Sequence, residues 1–242
     1  MSLAPPPVTT AMVMAAGRGT RMRPLTDDRC KALVTLAGKP LIDWTLDALA
    51  AAGVARAIVN VHHFADGLEA HLQTRPAPAI EISDERNGLL ETGGGLVKAA
   101  PALGGEPVFV ANIDAVWADG PVPELVRLAA GFDPQIMDFL LMLAPLERTL
   151  GFDGPGDFFL GEDGRLTRRG AAARAPFAYA GVMVMHPRVL EGWPQEPFST
   201  NRLWDRGLAQ GRVFGQVMNA FWMHVGDPNA RDAAENRLRS DP

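Results

Sequence analysis

The sequence predicts an α/β protein: a Rossmann-like, mainly parallel sheet with helices on both faces, and beside it a small mixed β lobe at about 138–200. Two observations carry this reading. Short apolar runs of strand length alternate with helix-patterned segments through the first half, which demands right-handed crossovers and therefore parallel neighbours. Gly17 and Asp114 each follow closely on the end of an apolar run. Ligands of such sheets lie beyond the carboxyl ends of the strands, so these two distant residues are expected to share one cleft.

In chain order, Ala11–Met14 reads as a buried strand, and Ile42, Leu46 and Leu49 as a helix stopped by Gly53. Ala57–Val61 is the next strand, Asp66–Leu72 a helix, Ile80–Ser83 extended and Leu96–Ala100 a short helix. Val108–Ala111 is apolar and runs into Asn112-Ile113-Asp114. In the second half, Asp138–Leu143 and Ala180–Met185 read as strands, with Phe158-Phe159-Leu160 and Leu166 as a hairpin around Asp163-Gly164. Val189–Trp193 and Arg202–Gln210 are helical, Phe221–Val225 is a last strand and Asn229–Arg239 a closing helix. Residues 1–10, with their Pro5-Pro6-Pro7 run, are expected to be a disordered N-terminus ahead of a single domain at 11–240.

The 242 residues, 47% of them hydrophobic, suffice to bury one sizeable core. A net charge of −5 argues against a nucleic-acid binder. One cysteine excludes an intrachain disulfide and fits a reducing compartment. With no signal-like start and no run long enough to span a bilayer, the expected location is the cytoplasm, away from membranes. Nothing in the sequence sets the oligomeric state.

The richest stretch is Ala15-Ala16-Gly17-Arg18-Gly19-Thr20-Arg21-Met22-Arg23-Pro24-Leu25-Thr26, continued by Lys31 and Gly38-Lys39-Pro40-Leu41. Two glycines one residue apart let the backbone turn sharply and approach a ligand without a Cβ in the way. Backbone N–H groups and the cations Arg21, Arg23 and Lys31 then converge, which suits a polyphosphate. The stretch has neither the Gly-Lys-Ser/Thr ending of a Walker loop nor the third glycine of a dinucleotide loop.

This ordered signature resembles that of the sugar-1-phosphate nucleotidyltransferases. The resemblance implies a nucleotidyltransferase fold whose small lobe faces the sugar, with a nucleoside triphosphate and a sugar-1-phosphate as substrates. It also implies roles for individual residues. Arg21 would hold the triphosphate and Lys31 bridge the phosphates, while Asp114 would bind a metal, so that these three form the catalytic set. Ala16, Gly17, Gly19, Thr20, Asn60, Glu91, Thr92 and Gly93 would contact the nucleotide, and Asn112, Asp157 and Gly181 the sugar.

Mg²⁺ is the expected cofactor, with Mn²⁺ as a second possibility. The family places an aspartate in a Trp-x-Asp-x-Gly segment near the C-terminus, but the matching stretch here is Trp222-Met223-His224-Val225-Gly226-Asp227. His224 could ligate the metal through a ring nitrogen, which suits Mn²⁺ better than Mg²⁺; Asp227 could reach in, or Asp114 serve alone. Cys30 stands where the family has proline before the lysine, a change expected to loosen the loop.

Glu91-Thr92-Gly93-Gly94-Gly95 looks like the family's base-binding segment, with three glycines that would allow close approach of a flat group. With Asn60 on an earlier strand end, this form is most similar to the N-acetylmuramate-1-phosphate uridylyltransferase branch, which implies UTP and a role in cell-wall recycling. The signature loop is shared across the family, so two alternatives stay open. One is a mannose- or heptose-1-phosphate guanylyltransferase. The other is a nucleotide-sugar-binding regulator without turnover, for which His224 is the only motive.

Overall fold

Side-chain alternation along the strands decides how the layers are built. In the computed structural model, which describes residues 8–240, β1 (Thr10–Met14) turns Ala11 and Val13 to one apolar core and Met12 to another. A glycine-rich loop follows, then a short hairpin of β2 (Thr35–Leu36) and β3 (Lys39–Pro40) leading into α1 (Leu41–Ala51). Ile42, Leu46 and Leu49 bury against the first core, and the helix ends at Gly53 in left-handed conformation (φ +88°). Next come β4 (Arg56–Val61), α2 (Ala65–Leu72), β5 (Ala79–Asp84), α3 (Glu91–Leu103) and β6 (Val108–Asn112). The four long strands pair in parallel in the order β6-β1-β4-β5.

β7 (Ala115–Trp117), α4 (Glu124–Ala130), β8 (Phe139–Pro145) and β9 (Thr149–Leu150) continue the chain. β10 (Phe158–Leu160) and β11 (Leu166–Arg168) form the hairpin expected around Asp163-Gly164. β12 (Phe177–Met185), α5 (Asn201–Ala209), β13 (Val213–Val217), β14 (Trp222–His224) and α6 (Pro228–Ser240) complete it. Because β12 pairs antiparallel with β6, β8 and β10, the mixed β part at 138–200 is a wing of the same nine-stranded sheet. Helices α1, α2 and α4 cover one face, through Leu46, Leu68 and Leu128; α3 and α5 cover the other, through Leu96 and Leu203. A second sheet, β7-β14-β9, packs with α6 and the loop residue Met22 around a third, smaller core. No helix among the described residues is long and apolar enough to cross a membrane.

Several expectations are corrected. Val8–Thr10 are not disordered: Val8 is buried, and the Thr9 carbonyl accepts from the amides of Ala55 and Arg56. Residues 1–7 of that segment lie outside the described residues. The helix expected at Leu96–Ala100 starts earlier, at Glu91, and takes in all three glycines. Val189–Trp193 is not an α-helix; a 3-10 turn at Pro187–Leu190 stands there. The last strand belongs to the small sheet, and β7, α4 and β13 carry no anticipated pattern.

Candidate active site

The loop after β1 is shaped by Gly19, which sits at φ +63° and starts a 3-10 turn at Thr20–Met22. A Cβ at Gly19 would stand 3.0 Å from Lys31 Cβ and 3.1 Å from Thr26 Cγ2, so the glycine also allows the close approach of the lysine segment. Thr26 Oγ1 donates to the Gly19 carbonyl at 2.9 Å and holds the turn shut. A Cβ at Gly17 would meet no protein atom within 4 Å; that side of the backbone is open to a ligand. Cys30 holds the extended conformation at φ −70°, within proline's range, and is buried, so the proline's absence leaves the backbone in place here. Burial pushes its thiol pKa up.

Lys31, on a 3-10 turn, and Asp114, just past β6, meet across the floor of the cleft with Nζ 2.7 Å from Oδ2. Both side chains are largely buried, at 10% and 19% exposure. His224 closes the group from β14. Its Nδ1 lies 3.0 Å from the Gly151 carbonyl, which can only accept, so Nδ1 carries the proton and Nε2 faces Asp114 Oδ2 at 3.5 Å. Burial by itself would raise the Asp114 pKa; the charge of Lys31 and the contact with His224 outweigh it and hold the carboxyl well below the usual carboxylate range. Tyr179 is shifted the other way, its phenol pushed far up by burial and by the Asp114 charge.

The cleft, about 430 Å³, is lined on the loop side by Ala16, Gly17, Arg18, Gly19, Thr20 and Arg21. Lys31, Asn60, Glu91, Thr92, Asn112 and Asp114 complete it, with Met14, Leu89, Ile113 and Gly226 between them. Arg23, read from the sequence as a third converging cation, turns outward and pairs with Asp27 at 3.6 Å, both well exposed; Arg18 takes its place on the cleft wall.

The triple glycine is filled by the protein itself. A Cβ on Gly93 would fall 2.3 Å from the Phe198 ring, and one on Gly94 2.1 Å from the Glu196 carbonyl oxygen. The Gly93 amide donates to the Phe198 carbonyl at 2.7 Å, and Thr92 Oγ1 accepts from the Thr200 amide at 2.8 Å. Gly93 therefore lies behind the cleft wall, with Glu91 (φ +57°) and Thr92 in front.

Of the residues expected to contact the sugar, Asn112 lines the cleft. Gly181, at φ +83°, marks the register shift of β12, and a Cβ there would stand 2.8 Å from Ala115 Cβ and 3.5 Å from Asn112 Cβ. Asp157 is not brought to the cleft lining: its Oδ2 accepts from the Tyr179 amide at 2.9 Å. Asp227 is spent at the start of α6, where Oδ1 accepts from the Ala230 amide at 2.9 Å, while His224 Nε2 stands 3.5 Å from Asp114 Oδ2.

Glu85 is a residue the sequence reading missed. It is 1% exposed and bonds to Asn60 Nδ2 and the Leu90 amide, beneath both walls of the cleft.

Comparison with known proteins identifies the family. Residues 11–136, just over half the chain, match the model of the MobA-like NTP transferase domain. The chain belongs to that nucleotidyltransferase family. Over 232 residues it is 53% identical to an N-acetylmuramate alpha-1-phosphate uridylyltransferase of Caulobacter vibrioides, covering 94% of this chain and 96% of the relative. A protein of the same name from Neisseria meningitidis is 34% identical over 219 residues, covering 89% and 92%. Among solved structures, the inositol-1-phosphate CTP transferase of T. maritima superposes with a TM-score of 0.77 at 18% identity, over 97% of this chain and 98% of that one, a likeness of fold. The glycine loop, Lys31 and Asp114 of this chain line one cleft, as the strand-end rule anticipates.

Proposed function

We propose that this nucleotidyltransferase couples UTP to N-acetylmuramic acid 1-phosphate, giving the UDP-sugar and pyrophosphate, and that it serves cell-wall recycling in the cytoplasm. The observation that carries the reading is the buried Lys31–Asp114 pair beside an open glycine loop, in a chain so similar to the uridylyltransferases named above.

A phosphate oxygen of the sugar-1-phosphate attacks the α-phosphorus in line. The bond from that phosphorus to the α–β bridging oxygen breaks, and pyrophosphate leaves with the electron pair. The nucleophile is already an anion near neutral pH, so no side chain has to remove a proton. What the protein must supply is position and positive charge. Amides of the Gly17–Gly19 loop and the cations Arg21 and Lys31 meet that need from one wall and the floor of the cleft.

The donor set also fits a divalent cation. With Nδ1 turned to the Gly151 carbonyl, His224 presents Nε2 3.5 Å from Asp114 Oδ2, so an imidazole nitrogen and a carboxylate oxygen, both common ligands of divalent cations, stand side by side. Asp114 and His224 would hold the ion, Mg²⁺ or Mn²⁺, which when bound neutralises phosphate charge. No group of three or more His, Cys, Asp or Glu side chains suited to a metal gathers among the described residues, so substrate oxygens would complete the coordination.

The test is pyrophosphate release from UTP, GTP, CTP, ATP and dTTP, each against N-acetylmuramate-, N-acetylglucosamine-, glucose- and mannose-1-phosphate. Turnover centred on UTP with the muramate is the expected result. Turnover centred on GTP with mannose-1-phosphate would replace the substrates, and binding without any turnover would favour a regulator.

A further inference from the structure

Asn60 lines the nucleotide cleft, yet its amide is committed to the protein on both sides. Its Oδ1 accepts from the amides of Ala15 at 2.6 Å and Ala16 at 3.1 Å, the residues that open the phosphate loop. Its Nδ2 donates at 2.8 Å to Glu85 Oε1, and Glu85 Oε2 accepts at 3.0 Å from the amide of Leu90, immediately before the Glu91–Thr92 wall. Asn60 and Glu85 are each 1% exposed. Burying a carboxylate is expensive, and here its side-chain hydrogen bonds come from two neutral N–H groups with no cation paired to it among the described residues. A carboxylate is the side chain of this length that accepts at both ends, which is what two facing donors require. The N-terminal part of α3 leans on the pair: a Cβ at Gly95 would stand 2.9 Å from Glu85 Oε1 and 3.2 Å from Asn60 Nδ2.

We infer that Glu85 is a positioning residue for the nucleotide. Through Asn60 it fixes the phosphate loop, and through Leu90 it fixes the opposite wall, so that the two walls hold one spacing. It touches no substrate itself; its effect passes through the Ala15 and Ala16 amides, whose peptides lead into Gly17. The inference rests on the triphosphate reading of the cleft.

An exchange of chemistry between the two side chains tests it. In Asn60→Asp, two carboxylates face each other at the position of the 2.8 Å hydrogen bond. In Glu85→Gln, one of the two donors, Asn60 Nδ2 or the Leu90 amide, meets an NH₂ group. In the double variant every donor finds an acceptor again. One oxygen of the introduced aspartate accepts from the loop amides as before, its other oxygen accepts from the introduced glutamine, and the glutamine carbonyl accepts from the Leu90 amide. Calorimetry with pyrophosphate and with UTP is the readout, alongside thermal melting and the KM of the sugar-1-phosphate at saturating UTP. Each single variant should weaken both ligands by about 10-fold, the scale of one lost charge-assisted hydrogen bond, and the double should recover most of that loss, with the sugar-phosphate KM unchanged throughout. Single variants that bind like wild type, or a double no better than the singles, would overturn the inference. Loss of UTP binding with pyrophosphate binding intact would also overturn it, since the pair would then act on the base. Should Asn60→Asp not fold, hydrogen exchange at the Ala15 and Ala16 amides of Glu85→Gln decides: faster exchange supports the clamp and unchanged exchange refutes it. Failure of the wild type to bind either ligand would instead strike the triphosphate reading itself.

Discussion

Lys31 Nζ lies 2.7 Å from Asp114 Oδ2, and the same oxygen is the one that His224 Nε2 faces at 3.5 Å. A cation held between Asp114 Oδ2 and His224 Nε2 would share that oxygen with Lys31. The pair keeps the carboxylate ionised, which a metal ligand has to be, and it parks the lysine charge beside the loop that would receive the phosphates.

Removing any member of the charge-stabilising set should show in turnover. Arg21→Ala, Lys31→Ala and Asp114→Asn are each expected to lower kcat by at least ~100-fold, the scale seen when one preorganised charge-stabilising donor is lost. Steady-state kinetics on folded variants checks this, and wild-type-like rates in all three would sink the site assignment.

His224 should set metal preference. An imidazole nitrogen favours Mn²⁺ over Mg²⁺ relative to a carboxylate oxygen, so His224→Asp should lower the ratio of Mn²⁺- to Mg²⁺-supported rates and weaken Mn²⁺ binding seen by electron paramagnetic resonance. An unchanged ratio and unchanged Mn²⁺ affinity would remove His224 from the coordination sphere.

How far the sequence carried depends on how local each signal is. Gly17, Gly19, Lys31 and Asp114 were legible because a turn, a close approach and a strand end each leave a mark in neighbouring residues. The glycine cluster was legible as a cluster but not in its purpose, since Phe198 and Glu196, which fill it, lie far downstream. Arg23 could not be told from Arg18, because which loop cation turns inward depends on the turn geometry and on Asp27. Glu85 belongs to no motif, and its importance appears only when β4 and β5 pair and bring Asn60 against it.

The glycines give a paired prediction. Gly94→Ala puts a Cβ 2.1 Å from the Glu196 carbonyl oxygen and should destabilise the fold by ~1–3 kcal/mol, as overpacking does. Gly17→Ala meets no protein atom within 4 Å and should keep the melting temperature while weakening nucleotide binding. Thermal melting and UTP titration of both variants separate the two roles; equal melting losses would contradict it.

Acid stability follows from the Asp114 shift. Its folded-state pKa lies below the ordinary value of 3.8, so its contribution is present above that value and is lost as the pH falls through the folded one. The difference in urea midpoint between wild type and Asp114→Asn should therefore narrow as the pH drops below about 4. A gap that stays constant from neutral pH to about pH 3 would contradict a depressed Asp114 pKa.

The most direct measurement follows the label of UTP carrying ³²P at the α-phosphate, incubated with N-acetylmuramic acid 1-phosphate and a divalent cation. Uridylyl transfer in this cleft predicts that the label moves into the UDP-sugar with wild type, that none stays on the protein, and that Lys31→Ala slows the transfer by at least ~100-fold. Label remaining in UTP while wild type binds both substrates, or transfer undiminished in Lys31→Ala, would contradict it.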